Sequence, residues 1–210
     1  MKTAEQPTVF VVDDEPEFVA ALDMLLQTAN LAVCAFTSPR AFLRAIHPDD
    51  PGCVLLDVRM PSMSGLEVQE ELILRGCRQP VLFLTGHGDI PMAVRATRAG
   101  ALDFIEKPAR DTLLLQRIRA ALKLDRTRRK KLAAAAEGHR RTKELSPREL
   151  QIGQLLAQGL SSAEMARKLK RSVRTVEMHR LRLLRRLGVR NTAEAVREII
   201  AAGLVPPEIG

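Results

Sequence analysis

The stretch Cys53-Val54-Leu55-Leu56-Asp57 runs four small or apolar residues straight into one carboxylate. A continuous apolar run of this length fits a strand buried on both faces, as in a parallel sheet. Its last residue then emerges at the strand's carboxyl end, where open α/β sheets gather their sites. The following Val58-Arg59-Met60-Pro61 and Ser62-Met63-Ser64-Gly65 cannot prolong the strand, because Pro and Gly remove ladder donors and side chains. Three more runs repeat the pattern. Thr8-Val9-Phe10-Val11-Val12 leads into Asp13, Asp14 and Glu15, Val81-Leu82-Phe83-Leu84 into Thr85-Gly86, and Ala101-Leu102-Asp103-Phe104-Ile105 is followed by Lys107-Pro108. If the strands lie parallel, carboxylates, a hydroxyl and an ammonium meet at one rim. Crowded carboxylates repel, so such a rim makes sense chiefly around a hard cation. Taken singly, each residue has a plainer reading: a strand-end Asp as a turn or cap residue, a Lys before Pro as a solvated side chain. The joint order favours the site.

At 210 residues the chain suits one large or two small domains. No apolar stretch approaches the ~18 residues of a membrane span. The first residues lack a basic-then-apolar signal pattern, since Glu5 precedes the short run at Val9. Cys34, Cys53 and Cys77 are widely spaced in apolar surroundings and read as small buried hydrophobes in a reducing compartment. A cytoplasmic location is the expectation. Charge divides the chain: residues 1–122 hold 12 Lys and Arg against 16 Asp and Glu, while residues 123–210 hold 21 against 9. An acidic front and a strongly basic back suggest two domains, the second meeting a polyanion. Nucleic acid is the first candidate and an anionic membrane surface the second.

Apolar runs alternate with helical patterns over residues 8–122, which predicts a doubly wound (βα)5 domain with a five-stranded parallel sheet. A first helix is expected over 16–29, burying Phe18, Ala21, Leu22, Leu25 and Leu26. Ser38-Pro39 starts a second, with Ala41, Phe42, Ala45 and Ile46 inward. A third covers about 66–75. In the loop after the fourth strand, His87 reads as a base, a ligand or simply a solvated side chain, and Asp89 as the cap of a helix ending at Gly100.

Val11-Val12-Asp13-Asp14-Glu15, Leu56-Asp57-Val58-Arg59-Met60-Pro61, Thr85-Gly86-His87-Gly88-Asp89 and Asp103-Phe104-Ile105-Glu106-Lys107-Pro108 together resemble the receiver domain of two-component response regulators, a flavodoxin-like fold. The resemblance implies that Asp57 accepts a phosphoryl group from a sensor histidine kinase. It implies Mg²⁺ held by Asp14, Asp57 and the Arg59 backbone carbonyl, with Asp13 acting through water. It also implies that Thr85 and Lys107 hold the phosphoryl oxygens, that Phe104 moves with Thr85, and that Lys107-Pro108 is a cis peptide. The residue types suit those roles: a carboxylate attacking a phosphate needs its charge neutralised, which a divalent cation and an ammonium do.

Residues 123–143 combine Arg126, Arg128, Arg129, Lys130 and Lys131 with helix-favouring alanines. They read as a solvated helical linker ending near Gly138, or as a flexible basic tether. From 144 to 210 the signals predict four short helices. Ser146-Pro147-Arg148-Glu149 and Ser161-Ser162-Ala163-Glu164 are capping boxes, a third helix spans 173–187, and Asn191 caps a fourth. The first of these is expected to carry Leu150, Gln151, Leu155 and Leu156. On the third, Val176, Leu183, Leu184 and Leu187 lie inward, opposite Arg174, Glu177, Met178, Leu181, Arg182 and Arg185.

The run from Leu145-Ser146-Pro147-Arg148-Glu149 through Arg174-Thr175-Val176-Glu177-Met178-His179-Arg180 resembles the LuxR-type helix-turn-helix, and the whole layout resembles the FixJ/NarL class of transcription factors. The resemblance implies binding to double-stranded DNA, with Glu177, Met178 and Leu181 at base edges and Arg174, Thr175 and Arg182 near phosphates. It also implies a homodimer on phosphorylation. Lys170 and Arg171 depart from the family, which has Gly and an aliphatic residue there. A non-Gly residue at φ > 0 costs about 1 kcal/mol, so either the turn is reshaped or Arg171 reaches phosphate. Two other readings stand beside this one. A phosphoryl-transfer enzyme usually has an Asp two residues after the nucleophile, where this chain has Arg59. A receiver whose basic half meets RNA or membrane is disfavoured by the lack of Trp and Tyr.

Overall fold

The computed structural model describes residues 6–86 and 96–205. The readings of His87, of Asp89 and of most of the helix leading to Gly100 lie outside the described residues. Two compact units divide the chain, Met1–Arg129 and Lys130–Gly210.

In the first unit, β1 (Thr8–Val12), β2 (Ala32–Phe36), β3 (Gly52–Asp57), β4 (Val81–Thr85) and β5 (Asp103–Glu106) form one parallel sheet in the order β2-β1-β3-β4-β5. The order reverses between β1 and β3, so Asp13 and Asp57 flank the switch point where such sheets place ligands. Side chains alternate across the sheet. Phe10, Val12, Leu56 and Phe83 face one core with Phe42 and Leu43 of α2 (Pro39–Ala45) and Val68 and Leu72 of α3 (Gly65–Leu74). Val9, Val11, Leu55 and Leu84 face the other, with Leu22 and Leu26 of α1 (Pro16–Thr28) and Ile118 of α4 (Asp111–Lys143). Burying each such side chain stabilises by about 1.5–3 kcal/mol.

Several expectations need correction. Ala21 and Ala45 are exposed, whereas Val19 and Leu43 are buried, because each helix turns its stripe about one residue away from the position read. Cys34 lies on the edge strand β2 and is exposed, while Cys53 is the buried thiol expected. Burial, with a smaller push from the Asp125 charge, raises the Cys53 pKa to about 12. Helix α4 neither stops at Gly138 nor is solvated throughout. The buried carboxylate of Asp125 accepts from the Gly52 N–H at 3.0 Å and from Arg129 Nε at 2.7 Å, and Arg129 also donates to the Asp49 and Asp50 carbonyls. This part of the expected linker is tied to the start of β3. Gly52 suits that crowded spot, since a Cβ there would stand 1.9 Å from the Thr8 carbonyl oxygen. Gly138 sits inside the helix with the Glu198 carboxylate where a side chain would go.

The second unit packs α5 (Pro147–Ala157), α6 (Ser162–Leu169), α7 (Val173–Leu187) and α8 (Thr192–Ala201) around Ile152, Met165, Val176, Leu183 and Ile199. Both expected capping boxes are formed, Ser146 with Glu149 and Ser161 with Glu164, and Asn191 caps α8. Gln151 is exposed and Ile152 takes the inward place, again a rotation of the stripe by one residue.

Candidate functional site

Strand register sets the rim. Val12 pairs with Leu56 and Asp57 with Leu84, so Asp13, Asp57 and Thr85 end neighbouring strands at nearly one level. The Lys107 N–H donates to the Thr85 carbonyl at 2.6 Å, which brings the lysine to the same edge; the Lys107-Pro108 peptide is cis. The ammonium then lies between two carboxylates, 2.6 Å from Asp13 Oδ2 and 2.8 Å from Asp57 Oδ1. The second oxygen of Asp57 accepts the Arg59 N–H at 2.6 Å, and Asp13 Oδ1 accepts the Glu15 N–H at 3.0 Å.

Asp13, Asp57 and Thr85 are 2%, 7% and 2% exposed, so the two carboxylates meet the Lys107 ammonium in a partly dry setting. Burial is the largest influence on Asp57 and raises its pKa. The Lys107 ammonium and the Arg59 N–H offset part of this, while the Asp13 charge adds to it. Burial works against the Lys107 ammonium, but the hydrogen bonds and charges of Asp13 and Asp57 outweigh it, and the lysine pKa stands above its ordinary value. Lys107 Nζ also stands 4.1 Å from the centre of the Phe18 ring, a cation–π contact that packing patterns do not disclose. Phe104 is half-buried with its ring 6.0 Å from that of Phe83.

Asp14 and Arg59 line a hollow of about 740 Å³ with Met60, Ser64 and Glu67. Among the described residues no three His, Cys, Asp or Glu side chains stand together at metal-binding spacing, and Asp13 and Asp57 both close on Lys107. The donor set nevertheless suits a hard divalent cation. It is all oxygen, and three carboxylates against one ammonium leave an excess of two negative charges.

In the second unit Met178 and Leu181 are 42% and 55% exposed on α7, beside exposed Arg174 and Arg182, all on one side as the spacing predicts. Thr175 is half-buried, and its N–H is accepted by Ser172 Oγ at 3.1 Å as part of the α7 cap. Glu177 is hydrogen-bonded while 47% of its side chain stays exposed. Its Oε1 accepts from Ser162 Oγ on α6 and from Arg180 at 2.8 Å, and Arg180 donates in turn to Thr192 on α8. Glu177 links α6 to α7, and Arg180 extends the link to α8. The spacing of Glu177 and Arg180, three apart on a helix, is the signal that reveals this pair.

Lys170 answers the question raised by the turn. It adopts φ 51° and ψ 49°, so the left-handed turn is kept with a lysine in it, and Arg171 is exposed.

Residues 9–119 match the family described as response regulator receiver domain, and residues 143–199 match bacterial regulatory proteins of the luxR family. The chain is 39% identical to the transcriptional regulatory protein FixJ of Azorhizobium caulinodans over 204 residues, 97% of each chain. It is 40% identical to the response regulator protein TodT of Pseudomonas putida, over 90% of this chain and 83% of that one. Among solved structures, that of the response regulator StyR is similar at a TM-score of 0.81 and 38% identity, covering 93% of this chain and 98% of the other. No helix among the described residues is long and apolar enough to cross a membrane.

Proposed function

This chain belongs to the FixJ-like response regulators, a receiver domain joined to a LuxR-type DNA-binding domain, and is a transcriptional regulator and not a substrate-turnover enzyme; on that premise we propose that Asp57 is its phosphoryl acceptor. The observation that carries the reading is the single ammonium of Lys107 held 2.8 Å from Asp57 at the sheet's switch point.

A carboxylate oxygen of Asp57 attacks the phosphorus of a phosphohistidine on a sensor histidine kinase. The O–P bond forms as the P–N bond breaks, and the imidazole leaves with the electron pair and takes up a proton. Burial makes the Asp57 carboxylate more basic, while Lys107 offsets charge on the transferring group. Mg²⁺, when held by Asp14, Asp57 and the Arg59 carbonyl, with Asp13 through water, supplies further neutralisation of the crowded oxygens. Thr85 turns its hydroxyl to the new acceptor oxygens, and Phe104 follows into the space released.

The added charge, about two units, favours a receiver surface around β5 that pairs with a second copy. Two DNA-binding units held together then engage adjacent half-sites in double-stranded DNA, in the cytoplasm, through Arg174, Thr175, Met178, Leu181 and Arg182. Sedimentation of the full chain with acetyl phosphate and Mg²⁺ tests this. The expected result is a shift from monomer to dimer with tighter duplex binding, absent in Asp57→Asn; an equal shift in both proteins contradicts the assignment.

A further inference from the structure

Five of the described helices close by one device. A residue with left-handed φ follows the last turn, its N–H returning to the carbonyl three positions back and the next N–H to the carbonyl five back. After α1, α3, α5, α7 and α8 the left-handed residue is Asn30, Gly76, Gly159, Gly188 or Gly203. The next residue is apolar each time, and Leu31, Cys77, Leu160 and Val189 all pack against a core.

The end of α6 makes the same two bonds, Lys170 N–H to Arg167 at 3.2 Å and Arg171 N–H to Ala166 at 2.9 Å. Yet cations hold both special positions. Lysine occupies the conformation that the other ends give to Gly or Asn, and an exposed arginine stands where they place a packing residue. Local stability does not account for either choice. Lys170 and Arg171 line a shallow hollow of about 860 Å³ with Arg167, Ser172 and Thr175, a wall without a carboxylate. Among the described residues, none of the three cationic side chains has an ion pair or hydrogen bond, and Glu164, whose carboxylate feels Arg167, is tied into its capping box by Ser161. Three unpaired cations and two hydroxyl-bearing residues lie at the corner where α6 gives way to α7, which matches what holds a strand of phosphates beside a groove.

We propose that Arg167, Lys170 and Arg171 make the helix-turn-helix turn itself a clamp on the DNA sugar-phosphate backbone, gaining phosphate contacts at the expense of turn stability. This rests on the DNA-binding reading above. The test compares the full chain with Lys170→Gly, Arg171→Leu and the double variant, incubated with acetyl phosphate and Mg²⁺. Binding to a mixed-sequence duplex of about 30 base pairs is followed by fluorescence anisotropy across salt concentrations. The variants restore the glycine and the apolar residue used elsewhere in the chain, so their Tm is expected to rise. Their affinity is expected to fall roughly eightfold per lost contact near 0.1 M salt, and the slope of log K against log salt to become shallower by about 0.9 per contact. Wild-type binding with an unchanged slope in the double variant overturns the clamp alone. Salt-independent binding, or none, by the wild type overturns the DNA reading with it.

Discussion

Charge is handled in opposite ways at the two ends of this chain. At the sheet rim, Asp13, Asp57 and Lys107 are largely buried and bonded to one another, each already holding a partner. At the helix-turn-helix, Arg167, Lys170, Arg171, Arg174 and Arg182 stand exposed without an ion pair among the described residues. Buried, pre-paired charge is expensive to disturb and acts by position; exposed charge costs little to keep and acts by attracting a polyanion. The first arrangement suits a chemical step at one atom, and the second suits an affinity that salt and pairing can tune.

Removing Lys107 breaks the first arrangement most severely. In Lys107→Ala the two buried carboxylates lose their shared ammonium, and phosphoryl acceptance should fall by about 10²-fold or more. Stability at neutral pH should drop by no more than the roughly 3–5 kcal/mol lost when a fully buried pair is broken. Acetyl-phosphate labelling and denaturant unfolding measure the two effects, while duplex affinity without phosphodonor should be unchanged.

Asp125→Ala comes next. It leaves the Gly52 N–H without its acceptor and frees Arg129, and should cost about 1–3 kcal/mol in unfolding of the first unit. No loss of stability would mean that the helix beyond residue 122 is solvated after all.

The smallest effect concerns pH. The Asp57 pKa is raised in the folded protein, so the folded state binds more protons than the unfolded chain as pH passes through the carboxylate range. The stability linked to this group is present in full below the ordinary Asp pKa and is lost as pH rises through the folded value. Asp57→Asn should therefore melt above the wild type at pH 7, by a margin that shrinks toward pH 4. A margin independent of pH would mean that Asp57 is not strained by burial.

The same contrast explains what was legible from residues alone. Strand ends fix backbone positions, and parallel register carries those positions to one edge, so Asp13, Asp57, Thr85 and Lys107 follow from reading four apolar runs. Helical spacing places the stripe one residue off at Ala21, Ala45 and Gln151, because a 100° step leaves adjacent residues as near-equal claimants to the inward face. Contacts distant in sequence escaped altogether. Phe18 beneath Lys107 and Asp125 on Gly52 join segments that no periodicity connects. Of the two alternatives the sequence raises at Lys170 and Arg171, a reshaped turn or an arginine on phosphate, the fold excludes the first, since Lys170 keeps the left-handed turn.

The central claim is that Asp57 takes up the phosphoryl group. The full chain should be incubated with acetyl phosphate and Mg²⁺, trapped by borohydride reduction and mapped by peptide mass. One modified residue, Asp57, with no modification in Asp57→Asn, is the predicted result. Modification at another side chain, or undiminished labelling of the variant, would contradict it.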